Sequence, residues 1–257
     1  MIAIDVGNTK TAVAFFRDGV CAARWTLGTS PLRSVDEYRI FLNECLTEVG
    51  ESLRSSGGMI LASVVPAATE EIRLLGRETD LHVVTHKTPV SFRFAVPQPE
   101  AVGADRIASL EGAFRKQGAP AVVLDTGTAT TLSVIDADRR FIGGAIAPGL
   151  RISLEALASR TALLPTIDMA LPERAIGPTT GEAMMSGAVL GHARMIDGLI
   201  GQMRDELGQP NAPVIATGGG MATIVPALRT KVTFDPFLTI DGLRYLFENL
   251  TEGKPHA

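Results

Sequence analysis

One stretch of this chain is written twice. Residues 2–16 read IAIDVGNTKTAVAFF, and residues 121–135 read AVVLDTGTATTLSVI. Each begins with an apolar run ending in Asp, continues x-Gly and small hydroxyl or amide residues, and closes with a second apolar run. Aligned without gaps, Asp5 matches Asp125, Gly7 matches Gly127 and Thr11 matches Thr131. Each copy predicts strand, tight turn, strand. A repeat spaced by about 120 residues is far too long for a solenoid unit and points to a duplicated domain.

The intervening sequence fits two α/β halves. In the first, Tyr38, Phe41, Leu42, Cys45, Leu46 and Val49 recur at helical spacing within 36–56. A buried strand is expected at 59–66, a helix near 68–78 and a strand at 81–85. Pro89, Pro97 and Pro99 make 87–102 irregular, and a helix is expected from Ala104 to about Lys116. In the second half, 141–149 reads as a strand entering a Gly-rich turn. A helix near 150–159, a loop over 164–178 and a long helix from about 180 to 207 follow. Gly187 and Gly191 lie four apart on that helix, a spacing that lets another helix approach closely. A strand at 213–220, a short helix and a final helix from about Ile240 complete the pattern, with 252–257 expected to fray. Alternating strands and helices predict α/β layers, here as two similar lobes, 1–115 and 116–257, with a cleft between them.

Composition narrows the partners. The 257 residues are 46 % hydrophobic and 20 % charged, with net charge −4, an ordinary globular balance. No run of Lys or Arg marks a surface for nucleic acid or anionic membrane. No segment has the roughly 18 consecutive apolar residues of a membrane span, and the opening MIAIDVGNT is unlike a signal peptide. Cys21 and Cys45 fit no zinc or redox spacing and read as reduced thiols of a cytoplasmic protein. His82 and His86 sit in strand-and-loop sequence rather than on a metal-binding helix face, Trp25 reads as packing, and Glu37, Glu44, Glu48 and Glu51 as a solvated helix face.

The repeated turns carry the chemistry. Gly7 permits a turn that a side chain would resist. The N–H groups after it, with the Asn8 amide and the Thr9 and Thr11 hydroxyls, can meet a phosphate. Asp5 points into the same space, where a carboxylate can hold Mg²⁺. Alone, such a turn is more readily a hairpin stabilised by its own Asp and Asn; a second copy strengthens the functional reading. ATGGG at 216–220 adds a loop whose glycines allow close backbone approach to a ligand. Two Asp-Gly turns followed by a Gly-rich loop resemble the phosphate-1, phosphate-2 and adenosine segments of the sugar-kinase, Hsp70 and actin superfamily, an order that implies ATP binding.

The acceptor side is read from GADR at 103–106. Together with DVGNT at 5–9, SVVP at 63–66, DTGTATT at 125–131, GGAIAPG at 143–149, GPTT at 177–180, ATGG at 216–219 and LTIDGL at 238–243, it makes the chain closely resemble type III pantothenate kinases. The resemblance implies two actin-like (ribonuclease H-like) lobes around a nucleotide cleft, and phosphorylation of pantothenate by ATP to 4′-phosphopantothenate, the first step toward coenzyme A. It makes Asp105 the catalytic base and places Gly103, Ala104, Asp105, Arg106, Val96 and Thr180 at the substrate, with Thr180 supplied by the partner subunit of a homodimer. ATP would be bound by Asp5, Val6, Gly7, Asn8, Thr9, Lys10, Thr11 and Ala12 of the first turn, and by Thr128, Gly218 and Gly219. Asp5 would hold Mg²⁺ and Asp125 a monovalent cation, K⁺ or NH₄⁺.

The residue chemistry agrees with that assignment. Phosphoryl transfer to an alcohol needs positioning, charge neutralisation and a proton acceptor. A carboxylate near a helix N-terminus is well ordered, and Arg106 adds a positive charge for a phosphoryl or carboxylate group. Read without the resemblance, Asp105 is more readily a helix N-cap residue and Arg106 a surface charge. Two positions depart from the family pattern: Val96 stands where a Tyr is usual, and Ser133 where TATTxD has Asp. They leave open an alternative, a catalytically impaired nucleotide-binding regulator. Another enzyme of the superfamily, such as a small sugar kinase, fits GADR and GGAIAPG poorly.

Overall fold

In the first unit the strand sequences dictate which strands are central. β1 (Ile2–Val6) and β4 (Met59–Ser63) are apolar along nearly their whole length and almost fully buried, as strands covered on both faces must be. β3 (Val20–Gly28) alternates exposed and half-buried residues and takes the edge. With β2 (Lys10–Arg17) and β5 (Leu81–Val83), the order is β3-β2-β1-β4-β5. β1, β2 and β3 pair antiparallel, whereas β4 and β5 continue in parallel from β1.

The computed structural model describes residues 1–251, so the fraying expected for 252–257 lies outside the described residues. Strand alternation sends Ile2, Ile4 and Val6 to one face, where they pack with α1 (Val35–Glu48) and α2 (Pro66–Leu75). Ala3, Ala14, Ile60 and Ala62 face the other way, onto α3 (Ala104–Gln117) and α8 (Leu238–Thr251). A Ser34–Glu37 capping box starts α1, and Pro66 opens α2. A two-residue strand, β6 (Arg93–Phe94), and a 3₁₀ turn at Pro99–Ala101 are the regular pieces of the stretch expected to be irregular.

The described chain divides into two units, residues 1–116 together with 237–251, and residues 117–236. The first break falls beside the expected boundary, but α8, assigned by sequence to the second lobe, belongs to the first unit. Its contact with α3 explains why. A Cβ on Gly112 would lie 2.5 Å from the Leu238 carbonyl oxygen, and one on Gly242 would collide with the Ala108 carbonyl. Two bare glycines thus let these helices touch backbone to backbone. Gly187 and Gly191, where close helix approach was expected, have open space around them within this chain.

The second unit repeats the topology of the first. β7 (Ala121–Thr126), β8 (Ala129–Ile135) and β9 (Arg140–Pro148) pair antiparallel. β10 (Val214–Thr217) and β11 (Thr233–Phe234) extend the sheet in parallel from β7. The order β9-β8-β7-β10-β11 matches β3-β2-β1-β4-β5 element for element, which is the duplication expected from the repeat. α4 (Leu150–Arg160) follows β9. The long helix is α5 (Thr180–Met185), a π-helical turn over Ser186–Gly191, and α6 (His192–Leu207), closed by Gly208 in the left-handed region. Val122, Leu124, Leu132 and Val134 meet Val189, Ala193, Ile196 and Ile200 in the core of this unit. α7 (Met221–Ile224) is the short helix after β10.

Trp25 packs against the core of the first unit as expected, and from β3 its Nε1 also donates to Glu48 Oε2 at 2.8 Å. Glu37, Glu44 and Glu48 are exposed as expected, with Glu37 also capping α1, whereas Glu51 lies beyond the helix, half-buried, and accepts from Arg17 and Ser55.

Candidate active site

The ladder between β1 and β2 ends with Val6 opposite Thr11, leaving Gly7–Lys10 as the turn. Gly7 N–H donates to the Lys10 carbonyl at 2.9 Å, and a Cβ on Gly7 would approach that oxygen to 3.2 Å. Asn8, Thr9 and Lys10 are exposed, Asp5 and Gly7 half-buried, and Val6 fully buried. The Val6 side chain lies in the core; Ala12, half-buried on β2, lies opposite Asp5. The Thr11 hydroxyl does not face the open side of the turn as expected. Thr11 is 1 % exposed, and its Oγ1 is 3.0 Å from Thr29 Oγ1, which donates to the Gly7 carbonyl at 2.7 Å. Since Thr29 uses its proton on Gly7, Thr11 donates to Thr29. The hydroxyl braces the turn from beneath.

GADR begins α3. Ala104 is the first helical residue, and Asp105 Oδ1 accepts the N–H of Arg106 at 2.7 Å. A Cβ on Gly103 would sit 2.5 Å from that same oxygen and 3.6 Å from Val64 of the SVVP segment. Bare Gly103 thus makes the room in which the Asp105 carboxylate lies. Asp105 and Arg106 are both half-buried. Burial lowers the Arg106 pKa, and the neighbouring Asp105 carboxylate opposes the shift, so this guanidinium is partly stripped of water and its charge is correspondingly effective. Val96, half-buried, stands between β6 and the 3₁₀ turn.

In the second unit three backbone segments meet around Asp125. Asp125 faces Thr131 and Thr126 faces Thr130 across the β7–β8 ladder, so Gly127 and Thr128 form an exposed tip. The Gly149 N–H donates to the Thr128 carbonyl at 3.0 Å, and any Cβ on Gly149 would collide with the Gly127 carbonyl. Gly218 has φ +98°, and a Cβ there would collide with Asp125 Oδ1 and come within 2.7 Å of Thr126 N. Gly220 N–H donates to the Thr126 carbonyl at 2.8 Å, while Gly219 has open space beside it. Asp125 is therefore a half-buried carboxylate roofed by a glycine. Thr180 is exposed at the start of α5, behind a Thr179–Glu182 capping box. Ser133 is buried in β8 opposite Val123 and Gly144.

The chain as a whole matches known proteins. The sequence model of type III pantothenate kinases covers residues 1–202. A type III pantothenate kinase from Roseiflexus sp. is 39 % identical over 251 residues, spanning 96 % of this chain and 98 % of that one. One from Thermomicrobium roseum is 40 % identical over 253 residues, 97 % of each chain. The chain belongs to the type III pantothenate kinase family. A solved structure, a candidate 2-dehydro-3-deoxygalactonokinase from Sinorhizobium meliloti, superposes with TM-score 0.63 at 14 % identity over 99 % of this chain and 98 % of that one. At that identity it speaks for the fold alone, the actin-like fold of sugar kinases.

Within this family member, the sequence reading passed over two buried polar residues that support the site segments. Glu111 is fully buried on α3, six residues after Asp105. It accepts from Ser91 N at 2.8 Å, Ser91 Oγ at 2.6 Å and Asn249 Nδ2 at 3.1 Å, so it ties the segment carrying Val96 to α3 and α8. His192, at the start of α6, meets Thr130 on β8. A buried Glu within an apolar helix face was a signal in the sequence, though its partners lie 20 and 138 residues away. Among the described residues no group of three or more His, Cys, Asp or Glu is arranged to hold a metal ion, and no helix is long and apolar enough to cross a membrane.

Proposed function

We propose that the protein transfers the γ-phosphoryl group of ATP to the primary hydroxyl of pantothenate, giving ADP and 4′-phosphopantothenate. The observation that carries this reading is Asp105. It stands in the first turn of α3, over bare Gly103 and beside Arg106, in a chain that matches pantothenate kinases over nearly its whole length. Asp105 takes the hydroxyl proton as the oxygen forms its bond to phosphorus and the bond to the ADP oxygen breaks. Arg106, partly desolvated, supplies positive charge to the substrate carboxylate or the phosphoryl oxygens. Gly103 and Ala104 leave room beside the base, Val96 offers apolar contact, and Thr180 contacts the acceptor.

For the nucleotide, the first turn from Asp5 to Ala12 offers backbone N–H groups, and Thr128, Gly218 and Gly219 offer the second set. ATP-dependent kinases require a divalent metal. The donors present are single carboxylates, so an ion held by Asp5 would complete its oxygen shell with phosphates and water. Asp125, in the cradle that bare Gly218 leaves open, suits a large monovalent cation such as K⁺ or NH₄⁺. Such ions neutralise phosphate charge when bound.

The reading includes a cytoplasmic homodimer. Leu163 and Ile176 are 91 % and 85 % exposed, and Ile152 and Leu157 of α4 are also uncovered. Those residues and the open sides of Gly187 and Gly191 favour a second copy of the chain as the cover.

The test is ADP release from the purified protein with ATP, Mg²⁺ and K⁺, with and without pantothenate. Asp105→Asn is expected to lower kcat by roughly 10²- to 10⁴-fold with nucleotide affinity retained. Pantothenate-independent turnover, or an active Asp105→Asn, overturns the assignment. ATP binding without any turnover would instead favour the regulator.

A further inference from the structure

Strand alternation puts Thr126 and Thr130 on the same face of the second hairpin, because directly opposite residues share a face. That face is otherwise apolar: Val122, Leu124, Leu132 and Val134 pack there against α6. Within this surface Thr130 Oγ1 lies 2.8 Å from His192 Nε2, with Thr130 fully buried and His192 8 % exposed. Burial lowers the His192 pKa, which keeps the ring neutral. The hydroxyl and Nε2 of the neutral ring satisfy each other, and separating them would strand two polar groups in an apolar core.

The placement of His192 is not incidental to the helix that carries it. The π-helical turn over Ser186–Gly191 ends immediately before it, and such turns add a residue and re-aim the side chains that follow. Further along α6, Asp197 accepts the N–H groups of Arg229 at 3.1 Å and Thr230 at 2.9 Å and the guanidinium of Arg194 at 2.6 Å. Arg194 also donates to the Ala227 carbonyl. One helix therefore grips the hairpin with its first residue and the segment following the glycine loop with its second turn. The Gly220–Thr126 bond closes the circuit between those two.

We propose that His192 is a positioning residue for the nucleotide: through Thr130 it fixes the hairpin whose tip presents Thr128 to the phosphates. This rests on the ATP-binding role given to Thr128 above. His192 is 8 % exposed and meets the hairpin at buried Thr130 rather than at its exposed tip, so its loss should weaken nucleotide binding and leave the acceptor site alone.

The experiment compares His192→Phe, His192→Gln and Thr130→Val with the parent enzyme. His192→Phe keeps the ring shape without the hydrogen bond, and is expected to raise KM for ATP about 5- to 10-fold, the worth of one such bond. The pantothenate KM stays unchanged. Thr130→Val gives the same shift, the double variant adds little to either, and His192→Gln, whose amide reaches the Nε2 position, recovers most of the loss. A purely structural role would lower Tm in these variants while leaving both KM values in place, and that outcome overturns the proposal. Equal shifts in both KM values overturn it too.

Calorimetric binding of a non-hydrolysable ATP analogue separates this inference from the assigned reaction. A parent that binds the analogue but ignores pantothenate disproves the reaction, while the variants still test His192. A parent that binds no nucleotide disproves both. Should His192→Phe fail to fold, the isosteric Thr130→Val carries the test alone.

Discussion

In the first hairpin Asp5 faces Ala12 across the ladder; in the second Asp125 faces Thr131. The first turn is therefore one residue longer, and the ungapped alignment of Thr11 with Thr131 slips by one. The true counterpart of Thr11 is Thr130: each is the first inward residue after its turn, and each is buried with its hydroxyl engaged. What they engage differs. Thr11 leans on Thr29, 18 residues along at the end of the same three-stranded meander, and Thr29 in turn holds Gly7. Thr130 leans on His192, 62 residues away on another element. The first turn braces itself, whereas the second is braced by a helix and roofed by Gly149 and Gly218. Duplication preserved the strand ladder and the inward Thr while leaving each copy to find its own support.

The roof of the second hairpin is where this difference should break most visibly. Gly218→Ala forces a Cβ into Asp125 Oδ1 and within 2.7 Å of the Thr126 backbone nitrogen, at φ +98°. Backbone and a half-buried carboxylate cannot yield cheaply, so a loss of about 3 kcal/mol or more is expected. Thermal unfolding would show it as a fall of roughly 6–12 °C, together with loss of nucleotide affinity. Gly127→Ala is the control, because its Cβ would find nothing nearer than 3.8 Å. Equal behaviour of the two variants would mean that the roof does not hold the hairpin.

How much of this was legible depends on how far each contact reaches along the chain. The paired strands, the turns and the start of α3 at Ala104 follow from local patterns of apolar residues, Gly and Asp, although the strands expected at 59–66 and 213–220 stop at Ser63 and Thr217. The membership of α8 was not legible, since it depends on Gly112 and Gly242 meeting across 130 residues. The π turn left no periodicity signal, because one added residue only shifts the phase of an apolar stripe. The repeat groups the residues of the two turns, but it carries no sign of the support beneath them. The neighbours of Thr11 suit a phosphate, and only the ladder register and its burial show Thr11 turned inward.

A middle-sized effect should separate the two braces. Thr11→Val keeps the shape and removes one donor, while Thr29 still holds the Gly7 carbonyl, so about 1 kcal/mol is expected. Thr130→Val strands a ring nitrogen of His192 in the core, so its cost should run higher, roughly 1–3 kcal/mol. Denaturant midpoints of the two variants make the comparison directly. If Thr11→Val proves the more damaging, the first turn is not self-braced, and Thr11 has a further role toward the nucleotide.

The gentlest probe of the same asymmetry is acid, because only the second brace contains a group that titrates near neutrality. Burial depresses the His192 pKa below its ordinary value of 6.5. Below that value the unfolded chain binds a proton at this site that the folded protein resists. Unfolding then takes up protons, and stability falls with falling pH. The contribution is fully present above pH 6.5, declines below it, and levels off once the folded ring also protonates. Protonation costs the ring its acceptor role and places a charge in an apolar cluster, so the second hairpin should loosen first. Denaturant titrations of the parent and His192→Phe between pH 5 and 7.5 isolate the effect, since the other histidines contribute equally to both. The parent should lose stability relative to the variant as the pH drops. Parallel curves would mean that His192 titrates normally and that its brace is no weaker in acid than the all-threonine one.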